Sequence, residues 1–200
     1  MSTRLFSFIG GDTGPWRVTE MEVRAGEPLP AARKLEIVSN SAISPDPHAA
    51  WVLRGITSNE RYVVREERSQ IVAKLLGLGR PEATCGALIA IRKNEAWWAL
   101  TQDERLSIFK EQSHHTRIGL QYFPELARRL HHCRDLSEHE PFDFLTWFEY
   151  EPAQEAAFNK LVAELRAIEE WKYVEREVDI RLVREDANSL GEQELRSHVL

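Results

Sequence analysis

The chain has 200 residues, of which 42% are hydrophobic and 29% charged, and its net charge is −6. This composition is typical of one globular domain or two small fused ones, not of a disordered chain. Acidic and basic residues are interspersed, so neither nucleic acid nor a membrane is an expected partner. Only Cys85 and Cys133 are present, which excludes a disulfide scaffold and a four-cysteine zinc site. The N-terminal sequence has no long apolar run, so we expect a cytoplasmic protein.

The first half of the chain is predicted to be mainly β-structure. Apolar or alternating residues predict strands over Leu5–Ile9, Trp16–Val23, Trp51–Ile56 and Arg61–Val64. The segment Glu27–Pro47 is rich in Pro, Ser and Asn and is expected to be largely a connection. Thr57–Glu60 supplies turn residues. A helix is predicted over Ser69–Leu76 and is ended by glycines and a proline that follow it.

The second half predicts alternating strands and helices. Strands are expected over Ala87–Ile91, Leu126–Arg134, Phe142–Tyr150 and Val178–Val183. One helix begins near Thr101, which has the capping-box spacing to Glu104, and runs close to a histidine pair; Pro124 separates it from the next strand. A second helix opens at Pro152. Its apolar stripe has helical periodicity and consists of Phe158, Leu161, Val162, Leu165 and Ile168.

This order, strand–helix–strand–strand–helix–strand, is the ferredoxin-like split βαβ pattern, and the first half repeats it only in part. We therefore predict an α+β fold with an antiparallel sheet covered by helices. The expected organisation is a single domain over residues 1–185. It comprises a truncated first half, about 1–85, and a second half, about 86–185. Residues 186–200 are polar and are expected to form a loose tail.

Two histidine pairs in the second half are candidate metal ligands. His114 and His115 follow a predicted helix, and His131 and His132 precede Cys133. Taken alone, each pair is also compatible with ordinary surface or strand histidines. A zinc site built from both pairs has no matching motif spacing. Because His131 and His132 lie side by side on a predicted strand, their side chains point to opposite faces and cannot both bind one ion.

Three motifs, in order and at matching spacing, resemble the chlorite dismutase family, in its short-chain branch. The first is K-N-x-x-W-W, from Lys93 to Trp98. The second is H-x(6)-Y-x(5)-R-[KR]-L, which fits His115, Tyr122 and Arg128–Leu130, whereas His114 is one residue out of register. The third is D-F-[IVL]-T-x-F-E, from Asp143 to Glu149. The resemblance runs over roughly Trp51 to Arg184. It implies the dimeric α+β barrel type of ferredoxin-like fold, with haem b between sheet and helices.

The resemblance also implies a role for individual residues. His115 would ligate the haem iron, and Glu170 would accept a hydrogen bond from its other ring nitrogen, with Glu169 as the rival acceptor. Arg128 would be the distal catalytic residue, because a guanidinium stays charged and suits an oxyanion. The remaining haem-pocket positions would be Tyr62, Val63, Lys93, Trp97, Thr146 and Phe148. Tyr62 and Lys93 would face the propionates. Leu75 stands where some short-chain members have a glutamine that bonds the arginine.

The function implied by the resemblance is the conversion of chlorite to chloride and dioxygen by a homodimeric haem enzyme. Three alternatives stay open at this point. The chain could bind or sense haem without turnover, or it could decarboxylate iron coproporphyrin, as a related branch of the family does. It could also be a cofactor-free ferredoxin-like module, since fold alone does not determine function. Arg128 favours chlorite, because the decarboxylating members generally lack an arginine at this site.

Overall fold

A computed structural model describes residues 4–39, 48–59, 61–123 and 125–185. The predicted tail at 186–200 lies outside the described residues. So do Glu60, Pro124 and residues 40–47 of the expected connection. Within the described residues, none of the helices has the length and apolar character needed to span a membrane.

Eight antiparallel strands form a closed barrel. They are β1 (Leu5–Gly11), β2 (Trp16–Ala25), β3 (Lys34–Ser39), β4 (Trp51–Thr57), β5 (Cys85–Lys93), β6 (Ala127–His132), β7 (Phe144–Tyr150) and β8 (Val174–Arg184). Their order around the barrel is β1-β3-β2-β8-β5-β7-β6-β4, and β4 pairs with β1 to close it. The central strand β5 pairs with β7 through Ile89↔Thr146 and with β8 through Ile89↔Asp179. Closure leaves no free sheet edge among these strands.

Side chains alternate between the two faces of each strand, so the barrel has a core inside it and a second core on its outer face. The inner core fills the barrel with large side chains such as Phe8, Leu88, Trp147 and Ile180, all fully buried. On the outer face, Ile89 and its neighbours pack against helices. Residues 87–91 are therefore buried on both faces of β5, which explains why this segment is a continuous apolar run.

Helices cover the outer face of the second half. They are α1 (Arg65–Lys74), α2 (Glu95–Ala99), α3 (Gln102–Ser107), a π-helix (Ile108–Gln112), α4 (His115–Leu120), a 3-10 turn (Pro152–Gln154), α5 (Glu155–Arg166) and a 3-10 helix (Glu169–Tyr173). Helix α5 buries Phe158, Leu161 and Val162, as its predicted stripe requires. The predicted α+β, ferredoxin-like order of the second half is confirmed: β5, helices, β6, β7, α5 and β8.

Several sequence predictions were wrong in detail. The expected connection Glu27–Pro47 contains β3, whose Leu35 is fully buried beside Trp16 in the barrel. Arg61–Val64 is not a strand.

Helix α1 starts at Arg65, four residues before the predicted Ser69, because the Glu67 carboxylate accepts the Val64 backbone N–H and caps it. The short helix α2 was missed. Asn94 caps α2 by accepting from the Trp97 backbone N–H.

The helix predicted from Thr101 is divided into pieces. Its capping box is present, since Glu104 accepts hydrogen bonds from both the backbone N–H and the hydroxyl of Thr101. After α3 the chain winds into the π-helix, and it then breaks at His114, whose φ of 51° lies in the left-handed region. Helix α4 begins only at His115. The break therefore immediately precedes the candidate iron ligand.

Candidate functional site

One cavity lies between the outer face of β5, β6 and β7 and the helices that cover it. With the open space at its mouth included, it measures about 1040 Å³. Its walls are mainly apolar and include Ile89, Ile91 and Leu161. Eight of the nine predicted site residues line this one cavity: Tyr62, Val63, Lys93, His115, Arg128, Thr146, Phe148 and Glu170.

On the helix side, His115 is held by Glu170. Its Nδ1 lies 2.7 Å from Glu170 Oε2, so the imidazole donates to the carboxylate. The side chain of His115 is 28% exposed, and its Nε2 makes no hydrogen bond within the described part of the chain. Because Nδ1 carries the donated proton, Nε2 is the ring nitrogen with a lone pair available to a metal.

The other oxygen of Glu170 binds Lys93. Lys93 Nζ lies 2.8 Å from Glu170 Oε1 and 3.1 Å from its backbone carbonyl, and both side chains are buried. The ammonium also lies 4.9 Å from the ring centroid of Trp97. The lysine therefore pairs with the carboxylate behind His115, which differs from the propionate contact expected from sequence.

Burial and neighbouring polar groups shift the pKa of Glu170 in opposite directions. Burial raises the pKa of its carboxyl, but the electrostatic interactions and hydrogen bonds with His115 and Lys93 lower it more, and the resulting pKa is about 2. Glu170 is therefore ionised at neutral pH. An ionised acceptor makes the imidazole more electron-rich, as carboxylates behind metal-bound histidines generally do.

Two further contacts on the helix side were missed in the sequence. The ring of Phe109 stacks on His115 with centroids 4.3 Å apart and an interplanar angle of 19°. The hydroxyl of Ser113 accepts the backbone N–H of Glu170 at 2.9 Å. No pattern in the sequence shows that Phe109 meets His115.

On the sheet side, Arg128 projects from β6 into the cavity. Within the described residues its guanidinium makes no hydrogen bond and no ion pair, and it lies 4.8 Å from the ring centroid of Phe123. Burial lowers the pKa of Arg128 to about 10. The side chain is therefore still charged at neutral pH. A half-buried cation without a counter-ion favours the binding of an anion.

The neighbouring arginine has a different environment. Arg129 points to the opposite face of β6, where its Nε donates to His131 Nε2 at 3.2 Å. His131 is fully buried between Phe6 and Phe8, and burial lowers its pKa to about 3, so it is neutral. Among the described residues there is no cluster of three or more His, Cys, Asp or Glu side chains arranged to hold a metal.

The remaining predicted residues form the wall around these groups. Thr146 and Phe148 lie two apart on β7 and share its outer face. Tyr62 lines the cavity with a left-handed φ of 62°. Trp97 does not line the cavity: it is fully buried one layer behind, with its ring centroid 6.2 Å from that of Tyr62. The Trp97 indole N–H has no acceptor within the described chain.

An ion-pair network forms one further part of the wall and was also missed in the sequence. Arg166 bonds Glu177 at 2.6 Å and Asp179 at 2.7 Å, and Trp171 Nε1 donates to Glu177 at 2.9 Å. Glu177 and Asp179 alternate with buried apolar residues on β8, so sequence alone indicates a half-exposed strand. The helices cover that face, and the acids are buried against Arg166.

Sequence comparison places these features in a family. The family model described as chlorite dismutase matches residues 36–185. Chlorite dismutase from Ideonella dechloratans is 31% identical over 123 residues. That match covers 60% of this chain but only 40% of the length of the relative.

Solved structures show the same relationship. A dimeric chlorite dismutase from Nitrobacter winogradskyi is 52% identical, covers 90% of this chain and 99% of its own, and superposes with a TM-score of 0.81. Chlorite dismutase from Candidatus Nitrospira defluvii in complex with imidazole has a TM-score of 0.66 over 96% of both chains. At 16% identity this second likeness shows the ferredoxin-like dimeric α+β barrel fold alone. The family match, which spans three quarters of the sequence, shows that this chain belongs to the chlorite dismutase family.

Proposed function

We propose that this protein is a haem b enzyme that converts chlorite to chloride and dioxygen. One observation carries the proposal. A single cavity holds an imidazole whose second nitrogen is free and, on its sheet side, a guanidinium without a counter-ion. The first group suits an iron ligand and the second suits an oxyanion.

The residues of the cavity fit a haem. Its walls are largely apolar, as a flat macrocycle requires, and His115 offers Nε2 to it. Trp97 packs one layer behind that wall, against Tyr62.

In this proposal His115 holds the iron, and Glu170 fixes the tautomer and orientation of its ring. Tyr62, Val63, Thr146 and Phe148 surround the macrocycle, and Trp97 packs behind Tyr62. Lys93 contributes through Glu170, which it keeps ionised and in place. Bound haem, held by His115, would supply the redox-active iron for the chemistry on chlorite.

Arg128 draws the chlorite anion into the cavity and holds it there. Among the described residues, Arg128 is the one arginine of the cavity wall that is not paired with an acid. Arg61 pairs with Asp135, and Arg166 pairs with Glu177 and Asp179. The reaction is balanced without another reactant, since the two oxygen atoms of chlorite leave as dioxygen and the chlorine as chloride. Retention of oxychlorine species near Arg128 until the O–O bond forms would prevent their loss to solvent.

The unpaired arginine also bears on the alternatives. A protein that only binds or senses haem gains nothing from an uncompensated charge in the pocket, which costs stability. We therefore favour turnover of an oxyanion over haem binding alone, and over decarboxylation of iron coproporphyrin.

We further propose a homodimer in the cytoplasm, with residues 1–185 as one functional domain. The similar structure from Nitrobacter winogradskyi is dimeric. Both described cysteines, Cys85 and Cys133, are free thiols, which is compatible with a reducing compartment. Gel filtration with light scattering tests the dimer, and a single species with the mass of one chain would contradict it.

The cofactor is tested by titrating the purified protein with haemin. The parent protein is expected to bind one equivalent and develop a Soret band. His115→Ala is expected to lose stable binding, whereas His114→Ala keeps it, because the exposed His114 points away from the cavity and bonds Lys110 instead. An unchanged titration for His115→Ala would contradict the assignment of the iron ligand.

The activity is tested by oxygen release after chlorite is added to the haem-loaded protein. Arg128→Ala is expected to keep its Soret band but lose most turnover. Arg17→Ala is the matched control, because Arg17 is 51% exposed on β2 and pairs with Glu185. Parent-like turnover by Arg128→Ala would show that the distal role is wrongly assigned.

A further inference from the structure

The backbone immediately before His115 is interrupted in an unusual way. The π-helix Ile108–Gln112 closes with a hydrogen bond from the Ser113 N–H to the Ile108 carbonyl at 2.9 Å. His114 then adopts φ 51° and ψ 30°, and α4 starts at the next residue. Single π-helical turns are often found at functional sites. A non-glycine residue with positive φ persists only where its surroundings hold it.

This interruption is what brings Phe109 against His115. On an unbroken α-helix, residues six apart lie about 120° from each other around the axis. Side chains so placed cannot stack face to face. Here the two rings are nearly parallel and 4.3 Å apart, because the left-handed residue turns the chain between them.

Hydrogen bonds hold the interruption in place at both ends. His114 Nδ1 lies 3.1 Å from the Lys110 carbonyl, which the ended π-helix leaves without a helical partner. Ser113 Oγ accepts the backbone N–H of Glu170. The break is therefore attached to the same residue that binds His115 Nδ1. Glu170 contacts the segment on each side of His114.

We propose that His114 and Phe109 are positioning residues that fix the imidazole of His115 before it binds iron. The left-handed backbone of His114 sets the direction in which the His115 side chain leaves the chain. Phe109 covers one face of the ring, while Glu170 holds its Nδ1 edge. Together they restrain both the position and the rotation of the ring. This inference rests on the proposed role of His115 as the haem ligand.

The backbone part of the proposal is tested by three substitutions at His114. Gly and Asn tolerate positive φ, whereas a β-branched residue does not. His114→Gly and His114→Asn are expected to release haem to an excess of apomyoglobin at a rate within about twofold of the parent, because they keep the backbone conformation and lose only the solvent-exposed bond to the Lys110 carbonyl. His114→Ile is expected to release it about tenfold faster. Equal rates for Gly and Ile would overturn the backbone role.

The ring part is tested by Phe109→Leu, which leaves the backbone chemistry unchanged. Loss of the stack is expected to speed haem release about three- to tenfold. It should also change the ferric electron paramagnetic resonance spectrum, which reports the orientation of the axial imidazole. Phe109→Tyr should restore both. Phe6→Leu is the matched control, because Phe6 contacts the buried His131 at 5.1 Å inside the barrel, away from the cavity.

A measurement on the apo-protein distinguishes a misplaced His115 ring from a variant that has only unfolded. In ¹⁵N-histidine spectra of the apo-protein, the parent and Phe109→Tyr should show one Nδ1–H tautomer for His115. Phe109→Leu and His114→Ile should show a broadened or doubled signal while the melting midpoint of Phe109→Leu stays near that of the parent. A parent-like His115 signal in both variants would refute the inference. If the parent protein itself binds no haem, the proposed function fails instead.

Discussion

Glu170 joins two side chains that are far apart in the sequence. One carboxylate oxygen accepts from His115 Nδ1 at 2.7 Å and the other from Lys93 Nζ at 2.8 Å. The three residues come from α4, the 3-10 helix Glu169–Tyr173 and the end of β5. All three line the same cavity, so a change at Glu170 or Lys93 alters the charge beside the His115 imidazole.

Replacing Glu170 is expected to raise the reduction potential of bound haem iron. Without the carboxylate the His115 ring is less electron-rich and stabilises ferric iron less. Glu170→Gln is preferable to Glu170→Ala because it keeps the shape of the side chain. Glu169→Gln is the matched control, since Glu169 is 40% exposed and pairs with Lys172 at the surface. Spectroelectrochemical titration decides the point, and equal potentials for the Glu170 variant and parent would remove the role of Glu170.

The pKa of Glu170 also predicts the acid stability of the fold. A carboxyl whose pKa falls from about 4.5 when unfolded to about 2 when folded stabilises the native state above pH 4.5. This contribution is lost as the pH falls from about 4.5 to about 2. Glu170→Gln should therefore unfold with a weaker pH dependence in that window. Urea titrations of the apo-protein at several acidic pH values measure it. Parallel curves for variant and parent would contradict the shift.

Lys93 is expected to be structurally costly to replace. Lys93→Met keeps the length of the side chain but leaves the buried Glu170 without one of its two partners. Breaking a buried pair in this way typically lowers the free energy of unfolding by about 3–5 kcal/mol. Lys172→Met removes the exposed pair with Glu169 and should cost less than about 1 kcal/mol. Chemical denaturation of both variants measures the difference, and equal losses would be inconsistent with the buried pair.

Arg128 is expected to lower the stability of the apo-protein. Its guanidinium is desolvated without a counter-ion, and burial lowers its pKa to about 10. Since the unfolded state holds this proton more tightly, the cost is present below pH 10 and shrinks as pH rises. Arg128→Leu should thus raise the free energy of unfolding by about 1–3 kcal/mol while removing chlorite turnover. Urea denaturation at neutral pH tests this. A less stable Arg128→Leu variant would argue that the charge has a partner.

The fold of the second half was predictable because its elements carry strong local signals. The α5 stripe, the β5 apolar run and the Thr101 capping box each indicate one structure. Strand β3 was missed because its surroundings are rich in turn residues and its pairing with β1 is non-local. The division of the helix after Ser107 was missed for a different reason. His114 adopts a left-handed conformation that the helical pattern of the sequence does not indicate.

The candidate site, like the fold, was predictable only in part. The motif shared with the chlorite dismutase family, from His115 to Arg128, led to two groups that line one cavity, although they stand on different elements. The pairing of Lys93 with Glu170 could not be read from the sequence, because 77 residues separate them. Nor could the stack of Phe109 on His115, which depends on the break between them. The motifs shared with the family therefore point to candidate reactive side chains, while the contacts that adjust their chemistry are long-range.

The proposed conversion of chlorite is tested most directly by the stoichiometry of its reaction with the haem-loaded protein. The proposed chemistry predicts one chloride and one dioxygen for each chlorite consumed, with both oxygen atoms of the gas coming from ¹⁸O-labelled chlorite in ordinary water. Consumption of chlorite without oxygen release, or accumulation of hypochlorite and chlorate in place of chloride and dioxygen, would contradict it.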